Sequence, residues 1–232
     1  MFWLAGIVVA ALAHTAPFPF LLDTTNRTLW RMPDTDPPTI YLTFDDGPNP
    51  TATPELLDVL RRHEVKGTFF VITPYVTDET APILRRTFEE GHAVALHSHT
   101  RGMLFTSPGV AAATLQEAAA QIELRTGYRP CRAFRPHAGN RSVTMLMGAA
   151  QARYTVVGFG WMLWDFNWFR ARNADDLVPR FADRASPGDI VVIHDGHHQD
   201  PRADRRYAVE TVDRLIPELR ARGFQFGTIC PN

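Results

Sequence analysis

The sequence predicts an α/β fold, a distorted (β/α) barrel of about seven parallel strands, and three observations carry that expectation. Short β-branched and aromatic runs alternate with helical patterns of about 10–20 residues, the signature of βα units feeding one parallel sheet. Several of these runs end in a charged or imidazole side chain: Asp45 and Asp46 after IYLTF, His97 after AVAL, Arg135 after RAF, and His194 after DIVVI. A β/α barrel gathers the carboxyl ends of its strands at one mouth, where its chemistry sits. Finally, 232 residues, 45% of them apolar, suffice for one barrel of ordinary size. The chain therefore reads as an enzyme. Its formal net charge of −1 supplies no global field for nucleic acid or an anionic membrane, and its 24 basic residues are spread among helices as solvated faces.

Taken in order, strands are expected near 39–44, 67–72, 92–97, 132–135, 154–160, 189–194 and 224–229. Helices are expected between them, near 54–64, 79–90, 109–126, 142–152, 174–185 and 204–222. Thr53-Pro54, Ser107-Pro108 and Asn173 before Ala174-Asp175-Asp176 mark helix starts, each offering a capping side chain or a first-turn proline. Gly67, Gly91, Gly127 and Gly223 follow four of the helices, where a left-handed cap is needed.

Residues 1–22 stand apart. They hold no charge before Asp23, open on an apolar run and contain Ala11-Leu12-Ala13, the pattern of a signal peptide or membrane anchor. The absence of early Lys or Arg, together with Pro17 and Pro19, argues against a full membrane span. Export or anchoring, with membrane association through this segment, is the expectation; a cytoplasmic protein with a buried N-terminal segment is the alternative. Asp34 to Pro38 is polar and proline-rich, so 23–37 reads as a linker and 38–232 as the catalytic domain. Cys131 and Cys230 can pair in an oxidising compartment or stand as two core thiols.

Adjacent carboxylates on a tight turn, as in Asp45-Asp46-Gly47-Pro48, point in different directions. One can bind a cation while its neighbour stays free as a base. An Asp and His ligand set with open positions suits a divalent metal ion such as Zn, Co or Ni, which polarises a carbonyl and acidifies a bound water. His97 alone reads as a satisfied polar residue; beside Asp46 it reads as a ligand.

TFDDGP at 43–48, His97-Ser98, FRP at 134–136, Trp164-Asp165 and Ile193-His194-Asp195 resemble the five ordered motifs of the polysaccharide deacetylases, the NodB-homology domain of carbohydrate esterase family four. The resemblance spans about residues 38–230. It implies a distorted barrel and metal-assisted removal of an acetyl group, N-acetyl foremost, from a carbohydrate polymer or oligosaccharide. It further implies Asp45 as general base, Asp46 and His97 as metal ligands, and His194 as general acid. Arg135 would hold Asp45 ionised, and either Asp165 or Asp195 would orient His194. Trp161, Trp164 and Trp168 would wall a sugar groove or simply pack the barrel.

Two departures from the family pattern bear on the metal. The second motif usually carries two histidines four positions apart, and here Arg101 stands in place of the second. A guanidinium stays protonated and cannot ligate. His99 and His137 are the substitutes within reach of the sequence; His137 comes from Arg-Pro-His-Ala-Gly at 135–139, which replaces an Arg-Pro-Pro-aromatic-Gly pattern. Three readings follow: a metal-dependent deacetylase with a remodelled third ligand, an inactive carbohydrate-binding homologue, and a metal-independent amidohydrolase in which Arg101 meets the substrate oxyanion. His197 and His198, being adjacent, are expected to diverge and to touch substrate at most.

Overall fold

Side chains alternate along a strand, and that alternation decides what this sheet encloses. A computed structural model describes residues 27–160, 162–166 and 172–230. Its strands are β1 (Thr28–Leu29), β2 (Thr39–Gly47), β3 (Thr68–Ile72), β4 (Ala93–His97), β5 (Ala133–Arg135), β6 (Thr155–Val157), β7 (Ile190–His194) and β8 (Gln225–Phe226). Its helices are α1 (Ala52–Arg62), α2 (Ala81–Glu89), α3 (Pro108–Thr126), α4 (Val143–Gln151), α5 (Ala174–Arg184) and α6 (Arg206–Ala221).

The strands lie in the order β1-β6-β5-β4-β3-β2-β7, every neighbouring pair parallel, with β8 pairing the start of β2. Chain leaving β6 then runs back along the free edge of β7. Gly160 N donates to Ile190 O, Val192 N to Leu163 O, and Asp165 N to Val192 O. This irregular stave is the distortion in the barrel.

One row of side chains faces the helices: Ile40, Leu42 and Phe44 pack with Phe69, Val94, Leu96, Val191 and Ile193 against buried leucines of α1 and α6. The other row faces inward, where Tyr41, Phe70, Ala95, Ala133, Val157 and Ile190 form a separate cluster. Burying both faces is what a parallel sheet requires.

The seven expected strands and six expected helices are all present, and one short strand, β1, joins them. β1 falls within the stretch read as a linker. It pairs with β6, and the Trp30 ring occupies the place of a Gly158 side chain, 2.0 Å from where its Cβ would lie. Ser107 and Asn173 cap α3 and α5 through Val110 N and Asp176 N as expected. The start of α1 needs correction. The helix begins at Ala52, and Thr53 lies inside it with Oγ1 accepting from Asn49 N at 2.8 Å and donating to Asp195 Oδ2 at 2.5 Å. Gly67 also needs correction, for Glu64 takes the positive φ after α1, and Gly67 is required instead because a Cβ would lie 2.7 Å from the Phe44 ring.

Among the described residues no helix is long and apolar enough to cross a membrane. The leader read at 1–22 lies outside them.

Cys131, just before β5, is bonded to Cys230, just after β8, across 99 residues. Closing so long a loop removes entropy from the unfolded chain. Replacing both with serine should lower stability by about 2–4 kcal/mol, and reductant should lower the wild-type melting temperature toward that of the variant while leaving the variant's unmoved.

Candidate active site

The functional side chains continue the inward rows of the barrel. Tyr41, Thr43 and Asp45 alternate inward along β2; Ala95 leads to His97, Ala133 to Arg135, and Ile190 and Val192 to His194. By the same alternation Asp46 would point out toward the helices. It does not, because β2 slips register against β3 between Asp45 and Gly47, and Asp46 takes the left-handed conformation with φ 70°. The extra residue is a β-bulge, a device that re-aims a side chain at a strand end. Both carboxylates thus reach one mouth, and both are buried. Glycine follows for a steric reason: a Cβ on Gly47 would lie 2.5 Å from Asp195 Oδ2.

Arg135 reaches across the interior from β5 to β2. Its side chain is 1% exposed and lies over the Phe70 ring, 4.0 Å from the centroid. Nη1 donates to Asp45 Oδ1 at 2.5 Å and to Thr43 Oγ1 at 2.8 Å, and Nη2 donates to Gly158 O at 2.9 Å. The expected Arg135–Asp45 pair is present as a buried, charge-assisted hydrogen bond.

Arg135 also acts through its backbone. Its carbonyl oxygen lies 2.8 Å from His97 Nδ1, so that nitrogen is a donor and Nε2 is the one turned toward the mouth. Nε2 faces Asp46 Oδ1 at 3.2 Å, and this buried oxygen has no hydrogen-bond partner. Burial pushes the Asp46 carboxyl up, but His97, with the charges of His194 and His198, holds it well below the usual carboxylate range. A carboxylate oxygen and an imidazole lone pair at this separation fit two corners of a tetrahedral Zn site, where neighbouring ligand atoms lie about 3.3 Å apart.

The third corner is not preformed: among the described residues no three such groups converge on one point. His99 lines a cavity of about 330 Å³ together with His97, Thr73, Met103, Glu117 and Gln121. Arg101 is exposed. His137 comes nearer, its ring centre 6.5 Å from that of His97, and the His198 ring lies 4.6 Å from that of His137. The expectation that His197 and His198 diverge is corrected, since their rings stand 4.5 Å apart in a turn rather than on a strand.

Between Asp165 and Asp195 the geometry chooses Asp165. Its Oδ1 accepts from His194 Nδ1 at 2.5 Å, and its Oδ2 accepts from His194 N and from the Tyr207 hydroxyl, each at 2.8 Å. Burial alone would lower the His194 pKa, yet the Asp165 charge and hydrogen bond, with the fields of Asp46 and Asp45, raise it to about 9. Burial likewise raises Asp165, and His194 outweighs that to bring it to about 2. Asp195 instead takes the Thr53 hydroxyl, and burial with the Asp45 and Asp46 charges lifts it to about 7.

Trp164 is corrected from groove wall to packing residue: it is buried against Phe159 and Val192. Phe166, which the sequence reading missed, stacks on Trp164 and stands edge-on to His194 at 6.1 Å between ring centres. Tyr207, Thr43 and Thr53 were also missed as site residues: Tyr207 lies on a helix with no motif around it, Thr43 only opens the TFDDGP run, and Thr53 reads as a helix cap. Trp161 and Trp168 lie outside the described residues.

A β/α barrel that holds a carboxylate beside a guanidinium and an imidazolium beside a carboxylate at one mouth is a hydrolytic, acid–base centre. The signature described as polysaccharide deacetylase matches residues 32–157. Over 210 residues the chain is 34% identical to the chitooligosaccharide deacetylase of Sinorhizobium fredii, covering 85% of this chain and 93% of that one. A peptidoglycan-N-acetylglucosamine deacetylase of Bacillus cereus is 27% identical over 215 residues, 90% and 93% of the two chains. A family 4 acetyl xylan esterase from Clostridium thermocellum, solved in complex with a cobalt ion, superposes with a TM-score of 0.71 at 30% identity, covering 82% of this chain and 88% of that one. This chain belongs to the polysaccharide deacetylase family.

The His194 pair sets a pH limit. A histidine whose pKa is raised keeps its proton, and the stability that goes with it, up to neutral pH; both are lost as pH rises through about 9. Hydrolytic kcat/KM should therefore fall above about pH 9, and Asp165→Asn should move that limb toward neutral by about one pH unit or more, because its largest upward influence is gone. A pH–rate profile of both proteins reads this directly.

Proposed function

We propose that this chain is a metal-dependent deacetylase that removes the N-acetyl group from an N-acetylglucosamine unit of a carbohydrate oligomer, of the chitin or peptidoglycan type. The observation that carries the reading is the pairing of opposite proton-transfer groups at neighbouring strand ends. Asp45 and His194 are register partners on β2 and β7. One is paired with the Arg135 guanidinium, the other with the Asp165 carboxylate.

Asp46 and His97 would hold the divalent cation, which when bound polarises the acetyl carbonyl and acidifies a water. Zn, Co and Ni all suit a carboxylate and imidazole set. Asp45 takes the proton of the attacking water, and Arg135 orients it through one carboxylate oxygen, Oδ1. His194 gives the proton on Nε2 to the departing amine nitrogen as the C–N bond breaks, so that the products are acetate and a free amine. Asp165 keeps the His194 ring in the orientation that presents Nε2 to the mouth, and Tyr207 fixes Asp165 in turn. Phe166 offers an apolar edge beside His194 that excludes water from the departing group.

The two cysteine positions support a place for the protein. A bond joining Cys131 and Cys230 suits an oxidising compartment, and residues 1–22 have the composition of an export leader or anchor. The protein is proposed to act outside the cytoplasm.

Acetate release from an N-acetylated chito-oligosaccharide tests the activity. His194→Ala should lower kcat by about 10²–10⁴-fold. Asp46→Ala and treatment with chelator should each abolish turnover, with Zn or Co restoring the chelated wild type only. Turnover that persists in chelator would instead favour the metal-independent route.

A further inference from the structure

The cation corner formed by Asp46 and His97 is one protein ligand short, and the position that would supply it, 101, holds an arginine on an exposed loop. Two imidazoles lie on the open side of that corner. His137 follows β5 on a short turn, with its N–H donating to Ser98 Oγ at 2.9 Å. His198 follows β7, with its carbonyl oxygen accepting from the Tyr75 hydroxyl at 2.8 Å. Both backbones are tied, so both rings are presented from fixed points. The rings face each other at 4.6 Å between centres, and both are half-buried.

The spacing sets what must move. Two imidazoles sharing one tetrahedral ion have ring centres about 5 Å apart. His137 and His198 already stand that close, whereas His137 and His97 stand 6.5 Å apart. A rotamer change of one ring toward Asp46 closes the difference of about 1.5 Å. The Asp46 carboxylate supplies the attraction, being buried with no hydrogen-bond partner on Oδ1.

We propose that the third protein ligand of the cation comes from the His137–His198 pair, on the loops after β5 and β7, in place of position 101 on the loop after β4. This rests on the metal-dependent reading above. It assigns ligand duty to an imidazole that adjacency in sequence had set aside, and it leaves Arg101 outside the coordination shell.

Zinc affinity, measured by equilibrium dialysis and elemental analysis on the full chain, tests this without reference to turnover. The variants are Asp46→Ala, His97→Ala, His137→Ala, His198→Ala and the double His137→Ala/His198→Ala. Asp46→Ala and His97→Ala should lose binding, and the double variant should weaken it by about 100-fold or more, beyond the 10–100-fold effect of removing an outer-shell partner. One of the single variants should reproduce that loss and alter the absorption spectrum of the cobalt-substituted protein. Because both histidines sit on loops, melting temperatures of the metal-free proteins should agree, which separates lost ligation from lost folding. Wild-type affinity in the double variant, with Asp46→Ala and His97→Ala still deficient, would overturn the ligand assignment and spare the metal reading. Wild-type protein that binds no zinc beyond the level of Asp46→Ala would overturn the metal reading itself, and the assignment with it.

Discussion

Arg135 ties together both halves of the site. Its guanidinium, buried in the barrel, holds Asp45 from three strands away, and its carbonyl oxygen holds the tautomer of His97 on the neighbouring strand. A buried charge is tolerated only when paired and hydrogen-bonded, and removing one partner of such a pair costs about 3–5 kcal/mol. The barrel interior is accordingly built to accept this cation, with Thr43, Gly158 O and the Phe70 face disposed around it. On the proposed reading, base and ligand are positioned by one residue, so proton transfer and cation binding at the mouth share one anchor.

The strand ends carrying base and acid are interlocked just as closely. Gly196 N donates to Asp45 O, and a Cβ on Gly196 would lie 1.9 Å from the Asp46 carbonyl oxygen. Asp195 packs beneath the same turn and carries its proton to about pH 7, which spares the mouth a third buried anion beside Asp45 and Asp46. Two opposite ion pairs then divide the labour. The Arg135 guanidinium fixes the Asp45 carboxylate, and the Asp165 carboxylate keeps the His194 imidazole protonated at neutral pH. Separating the proton affinities of neighbouring groups by environment is the general route to acid–base chemistry at neutral pH.

Much of this was legible in the residues. Alternation along IYLTFD, AVALH and DIVVIH set the inward rows, and the helix boundaries at Ser107 and Asn173 rest on side-chain bonds three residues away, which a sequence displays. What escaped depends on contacts distant in the chain. The bulge that turns Asp46 inward is a register slip between two strands. The choice of Asp165 over Asp195 rests on Tyr207, 42 residues further on. Thr53 looked like a cap because its other partner, Asp195, is 142 residues away. The approach of His198 to His137 joins two loops that only the folded barrel brings together.

The short strand β1 has a consequence for where the folded unit begins. Pro38 looked like its edge in the sequence, yet Thr28 and Leu29 cover the outer side of β6 and Trp30 fills the hollow left by Gly158. A chain trimmed at Pro38 would leave Thr155–Val157 as a bare rim of unpaired N–H and C=O groups beside an unfilled socket. An uncovered strand of that kind invites pairing with a second molecule, so these few residues act as a hem that keeps one barrel from being stitched to another.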